Sequence, residues 1–303
     1  MSRTYRATGI NLKSSPLGES DRILTILTRD HGLIRAVAAG SRKPKSSLGG
    51  RCGLFVVNEL LLAKGKSLDR LTQAEAIATY SGLSRNLGLL TASQYLTELV
   101  LFQTPADRPD PQLFDLTLSV LDQLAALPID ATPTMTLATL CSGIMRLLKF
   151  GGLMPQVQAC SVTHGAIVPE VADPRWRAGF NFQAGGAIDL TLCRQLQQQR
   201  DPDIRQLWNL DRDAAIALRI PTPDRYVNAA ELALMQHLAA GDSFERHFNQ
   251  LTLPHLASAW MNIENLLRHY VQYHLGQGIQ SANLLDSYTT AMLAVPHPLD
   301  PSR

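Results

Sequence analysis

Aromatic side chains are scarce in this chain, at 6% of 303 residues, and charged ones reach only 18%. Four cysteines, Cys52, Cys141, Cys160 and Cys193, are scattered without a C-x-x-C pair, which argues against a disulfide framework in a chain this long. No apolar run approaches the roughly 18 residues that a membrane span needs. The first residues, Met-Ser-Arg-Thr-Tyr-Arg, contain no apolar core of a secretory signal, so a cytoplasmic protein with no membrane partner is expected. Catalytic motifs are missing too. There is no G-x-S-x-G and no H-E-x-x-H. Gly65-Lys66-Ser67 ends like a phosphate-binding loop, but Leu60 stands where its first glycine belongs, and the triplet lies between two strand-like runs. His269 and His274 are five apart, off a shared helix face, and the carboxylates form no spaced dyad. The expectation is a protein that is not an enzyme.

What is present is an uneven charge. Residues 1–85 hold fourteen Lys/Arg against six Asp/Glu, a net +8. The remaining residues hold fourteen against twenty, a net −6, which together give the +2 of the whole chain. A basic N-terminal third joined to an acidic remainder suggests a polyanion-facing module carried by a structural or partner-facing one.

The densest basic stretch is Gly40–Arg51, with Arg42, Lys43, Lys45 and Arg51 and no acidic residue. Its glycines, serines and proline predict a flexible surface loop. Read alone, such a loop is either a solvated charge run or a phosphate contact. Around it, Arg3–Leu12, Arg22–Thr28, Leu33–Ala39, Leu54–Ala63 and Leu68–Thr79 read as strands. Turn signals separate them at Ser15–Gly18, Asp30–Gly32, Gly49-Gly50 and Lys64–Lys66. Five short strands fit a closed barrel of the OB type, whose closure leaves no edge for a helix to cover. The last run is also helix-prone at Gln73–Ala78.

Beyond Gly82 the pattern turns helical. Stripes at Leu87–Phe102, at Leu113–Leu124 after Pro111, and at Leu137–Leu148 before Gly151-Gly152 predict three helices. Residues 154–192 are irregular. Helical patterns return at Leu192–Gln199, at Ala230–Ala240 and at Trp260–His274, and the tail from Pro296 reads as frayed. The expected fold is α+β, with a five-stranded OB-type barrel at 1–81 and a helical domain at 82–303 that contains an insertion at 154–192.

Cys160, His164 and Cys193 offer three borderline ligands, whereas structural zinc wants four in closely spaced pairs. Buried thiols beside a surface histidine are the plainer expectation. The basic residues of the barrel are better placed for chemistry, and the nucleic-acid contacts expected are Arg22, Arg35, Arg42, Lys43, Lys45, Arg51, Lys64, Lys66 and Arg70. With only Tyr5, Phe55 and Tyr80 there to stack bases, contact should be led by phosphates and be indifferent to sequence.

Several segments resemble the RecO family of bacterial recombination mediators. They are Gly18-Glu19-Ser20-Asp21-Arg22, His31-Gly32-Leu33, Gly40–Ser46, Leu68–Glu75, Tyr95–Leu99, and Arg146-Leu147-Leu148 leading to Gly152-Leu153-Met154-Pro155. The likeness runs through residue 195 and is most specific over the first 80. It implies an N-terminal OB domain and a helical domain with a zinc-ribbon-like insertion. It also implies binding of single- and double-stranded DNA, annealing of complementary strands coated with single-strand-binding protein (SSB), and cooperation with RecR in loading RecA. The resemblance places Arg146, with Lys149 beside it, at the site for the acidic C-terminal tail of SSB. Of the family's four zinc positions only Cys160 matches; Thr163 stands second, Asp189 and Leu192 stand near the third and fourth, and Cys193 comes one place late. No zinc and no other cofactor is therefore expected. Two other readings remain open: an RNA-binding OB adaptor, and an assembly scaffold whose basic loop meets an acidic protein.

Overall fold

The structure, a computed structural model, describes residues 4–104, 108–191, 193, 221–241 and 256–293. The chain is α+β and groups into two compact units, residues 1–143 with 278–303 and residues 144–277. Five strands come first: β1 (Thr4–Leu17), β2 (Asp21–Thr28), β3 (Gly32–Ala38), β4 (Val56–Ala63) and β5 (Asp69–Thr79). Then follow α1 (Leu87–Gln103), α2 (Pro111–Ala125), α3 (Pro133–Phe150), β6 (Arg177–Asn181), β7 (Gly186–Ile188), β8 (Arg225–Asn228), α4 (Ala229–Ala240), α5 (Leu256–Leu275) and α6 (Ala282–Leu293).

The first five strands close into a barrel in the order β1-β2-β3-β5-β4, with β3 and β5 as its parallel pair. Period-two alternation sends Ala7, Leu24, Ile26, Ile34, Ala36, Ala38, Leu60, Leu62 and Leu71 into one core. The alanines that weaken the pattern of β3 face this narrow interior, where small side chains fit the taper. Gly9 is required by close approach, since a Cβ there would lie 2.7 Å from Ile26 Cγ2.

Three expectations need correction, and one alternative falls away. The turn foreseen at Ser15–Gly18 is mostly strand, because Ser15, Pro16 and Leu17 pair with Ile23, Arg22 and Asp21. The reversal is confined to Gly18-Glu19-Ser20, with Gly18 at φ 58°. The fifth run is strand over 69–79 as expected, and its helical alternative falls away because the ladder to β4 outweighs the helix propensity of Gln73–Ala78. Closure does not dispense with helical cover. The outward-facing row Ile10–Leu27–Val57 is buried, and α2 lies against β2. Arg29 forks onto the Asp115 carboxylate at 2.5 and 2.9 Å, and the Tyr80 hydroxyl donates to Asp122 at 2.8 Å. Finally, Gly40–Arg51 is a tied series of turns rather than a loose loop.

All three expected helices form, α1 and α2 in the same unit and α3 running on from it into the second, with the Asn86 and Asp110 side chains capping α1 and α2. The sequence reading did not single out α6, which packs on α1. Gly88 makes room for it, because a Cβ there would lie 2.5 Å from the Tyr288 ring. The backbone N–H and hydroxyl of Ser281 both donate to Glu98 Oε2.

In the second unit, a three-stranded sheet runs β7-β6-β8. Its third strand, Arg225–Asn228, lies outside the expected insertion at 154–192. Asn228 and Glu231 form a capping box at the start of α4, and Gly241 ends that helix at φ 77°. On α5 the predicted stripe of Trp260, Ile263, Leu267, Tyr270 and Val271 is buried. Phe180 and Phe182 meet Tyr270 edge-on at 5.7 and 6.2 Å, and His274 Nε2 bonds the Phe182 carbonyl at 3.0 Å. The expected helix at Leu192–Gln199 lies outside the described residues apart from Cys193, and the tail from Pro296 lies wholly outside them.

Candidate nucleic-acid interface

The loop between β3 and β4 is held at one end by buried asparagines and at the other by the half-buried Asp21. Inside the barrel, Asn11 Nδ2 donates to the carbonyls of Arg51 and Gly53 at 2.8 and 2.9 Å. Asn58 Nδ2 reaches the Arg51 carbonyl at 3.1 Å. At the other end, Asp21 Oδ1 accepts the Gly40 N–H at 2.8 Å, and the Arg42 N–H donates to the Ser20 carbonyl, also at 2.8 Å. Between them the Ser46 N–H closes on the Lys43 carbonyl at 3.1 Å around Pro44 and Lys45. Proline second and a positive φ third is the pattern of a type II turn, and Lys45, at φ 63°, holds the position that usually takes glycine.

This anchoring gathers charge around Asp21. Its carboxyl is held below the usual carboxylate range, first by the Gly40 N–H, then by the Ser20 hydroxyl, and further by the nearby cations Lys43 and Arg70. Register adds two more cations on the outer face. Lys13 and Arg35 both pair with Thr25 from opposite sides, and Arg70 lies beside Val37, two residues from Arg35. Lys13, Arg35, Arg42, Lys43, Lys45, Lys66 and Arg70 are all exposed. Lys13 was missed as a site residue; the signal lay in its register against Thr25, not in local composition.

Three expected contacts are placed differently. Arg22 is half-buried, donates to Ser14 Oγ at 3.1 Å and sits near the buried Cys52 thiol. Arg51 bonds the Ser47 carbonyl and lines a 650 Å³ cleft with Arg6, Asp30, Glu59 and Glu75, so its surroundings are mixed in sign. Lys64 is paired with the buried Asp69 at 3.6 Å and lies over the Tyr5 ring. Tyr5 itself donates to Asp69, and burial followed by that carboxylate pushes its pKa up.

In the second unit, Arg146 is half-buried on α3 and burial lowers its pKa, while Lys149, one turn on, is exposed. At Cys160 the His164 N–H donates to the Cys160 carbonyl at 2.8 Å, and the Asp189 N–H to Cys160 Sγ at 3.3 Å. Zinc does not fit the donors present. His164 is exposed, and Asp189 Oδ1 accepts the Thr191 N–H at 2.9 Å. Leu192 lies outside the described residues, and among those described no three His, Cys, Asp or Glu side chains converge on one point. Nor is any helix among them long and apolar enough to cross a membrane.

Comparison with known proteins bears on this geometry. Residues 1–80 match the family model of Recombination protein O, N terminal, and residues 84–222 that of Recombination protein O, C terminal. The "DNA repair protein RecO" of Nostoc sp. is 44% identical over 298 residues, covering 96% of this chain and 98% of the relative. That of Cyanothece sp. is 45% identical over 291 residues, covering 95% and 97%. That of Thermosynechococcus vestitus is 39% identical, covering 95% and 96%. With both halves of the fold matched and its relatives spanned almost end to end, the chain belongs to the RecO family of DNA repair proteins.

Proposed function

We propose that this protein binds single- and double-stranded DNA through phosphate contacts on the open outer face of its barrel, without reading sequence. The observation that carries this is the cluster of Lys13, Arg35, Lys43 and Arg70, all exposed, around the anchored Gly40–Arg51 loop. The exposed part of this face offers cations and no aromatic platform, so affinity comes from counterion release rather than stacking. Two DNA strands repel through their phosphates, and a basic surface that holds both lowers that barrier without nucleotide hydrolysis. The reading follows that the protein is a non-enzymatic cytoplasmic mediator. It anneals SSB-coated complementary strands and assists RecR in loading RecA, with Arg146 and Lys149 receiving the acidic SSB tail.

A salt titration joined to an annealing assay tests it. With about five phosphates neutralised, log K on single strands falls with log salt at a slope of roughly −3.5. Replacing Arg42, Lys43 and Lys45 by alanine should weaken binding more than tenfold, flatten the slope by about 2 and slow annealing of bare and SSB-coated strands alike. Arg146→Ala should slow only the coated strands. A triple variant that binds and anneals like the parent overturns the phosphate reading; Arg146→Ala indistinguishable on coated strands removes the tail site. Tighter binding of an RNA of the same sequence would favour the RNA adaptor.

A further inference from the structure

The chain retains two sulfurs where the family resemblance implies a four-ligand metal site, and they have come together. Cys160 and Cys193 are buried at 0% and 3% exposure, and the Cys193 thiol lies within hydrogen-bonding reach of the Cys160 sulfur. Asp189 organises both. Its N–H donates to Cys160 Sγ at 3.3 Å, and its carbonyl accepts the Cys193 N–H at 3.0 Å. The Cys160 N–H in turn bonds the Gly165 carbonyl at 2.8 Å, and the Ser161 N–H that of Ala187, also at 2.8 Å. The two sulfur-bearing segments are thus fixed against each other by backbone bonds, independently of any metal.

We infer that Cys160 and Cys193 form a reversible dithiol–disulfide couple that joins, by a covalent bond, the two arms a metal would otherwise join. The surroundings divide the roles. The Asp189 N–H points at Cys160 Sγ, and a donor aimed at a sulfur favours its charged form. No backbone donor to the Cys193 sulfur is seen among the described residues. Cys160 is therefore the attacking thiolate and Cys193 the thiol that resolves.

A small peroxide supplies the oxidant, and its size suits a buried sulfur. The Cys160 thiolate attacks one oxygen of hydrogen peroxide; the O–O bond breaks, giving a sulfenic acid on Cys160 and hydroxide, which takes up the proton that Cys160 had released. Cys193 then attacks the Cys160 sulfur and gives up its proton, and the S–O bond breaks to release water. Two thiols and one peroxide become one disulfide and two waters. A small dithiol reverses the change by exchange. The closed loop contains β6 and β7, so the bond fastens the ribbon on which that sheet depends.

The full-length chain treated with hydrogen peroxide, alkylated, digested and weighed tests the inference. The expected product is a Cys160–Cys193 cross-linked peptide two hydrogens lighter than its parts. Cys52 and Cys141 should be recovered as alkylated thiols, and dithiothreitol should restore all four. Cys193→Ser should trap Cys160 as a sulfenic acid that dimedone labels, which keeps the test open should Cys160→Ser fold poorly. Recovery of both cysteines as free thiols under these conditions, or cross-links in which Cys52 or Cys141 replaces either partner, overturns the couple. So does one zinc per chain in the purified protein that is lost in Cys193→Ser.

Discussion

Lys45 sits where backbone geometry asks for glycine, and its charge is the evident reason for another residue there. A left-handed φ costs a side chain about 1–2 kcal/mol, and the glycine that would relieve it loses about 0.5–1 kcal/mol through its freer unfolded chain. Lys45→Gly should therefore leave stability within about 1 kcal/mol of the parent in urea unfolding. Single-strand affinity should fall and the salt slope should shallow by about 0.7, one phosphate's share. Lys45→Ala should lose the same affinity while keeping the strain. Equal DNA binding by the glycine variant and the parent would remove Lys45 from the interface. By contrast Arg29, equally cationic, is committed to Asp115 of α2, and Arg22 to the Ser14 hydroxyl. Net charge in the sequence does not distinguish these three residues; their partners do.

At the scale of elements, the loop presents its cations only because the barrel grips its ends. Asn11→Ala would leave the Gly53 carbonyl bare and the Arg51 carbonyl with Asn58 alone, a loss of about 1–3 kcal/mol for buried acceptors. The unfolding midpoint should drop accordingly, and DNA affinity should fall although every cation remains. Unaltered affinity in a destabilised but folded variant would mean the loop holds its shape without this grip. An asparagine inside β1 was not legible as an anchor, because a polar residue in a strand reads as outward-facing. The register shift between Asn11 and Lys13 is what places Lys13 beside Thr25. The barrel strands themselves were legible, since Ile23–Thr28 and Val56–Ala63 carry their alternation locally. So were α1 to α3, through the stripe at Leu87–Phe102, Pro111 and the Gly151-Gly152 stop. β8 was not, because four residues carry no period and its partner strand lies more than forty positions earlier. The closeness of Cys160 and Cys193 was hidden for a related reason: spacing alone separates them, and the Asp189 backbone joins them.

For the whole molecule, what matters is where charge lies rather than its sum. The chain's isoelectric point is near 8.4, so at pH 9 the protein as a whole is net negative and its mean field repels DNA. The interface titrates differently. Arginine keeps its charge at any pH where the fold survives, and ordinary lysines lose theirs only near pH 10.4. Beyond a Debye length of about 10 Å at 0.1 M salt, the acidic remainder is largely screened from a bound phosphate. Single-strand affinity, measured by fluorescence anisotropy at fixed ionic strength, should therefore fall by less than about threefold between pH 7.5 and pH 9, through the isoelectric point. The slope against log salt should stay near its value at pH 7.5, because the same phosphates are neutralised. If global charge governed binding, affinity would collapse as the sign of the net charge reverses, and no local cluster around Asp21 would rescue it. Persistence on the alkaline side of 8.4, combined with loss in the Arg42, Lys43, Lys45 triple variant at both pH values, is the outcome that a polarised barrel requires.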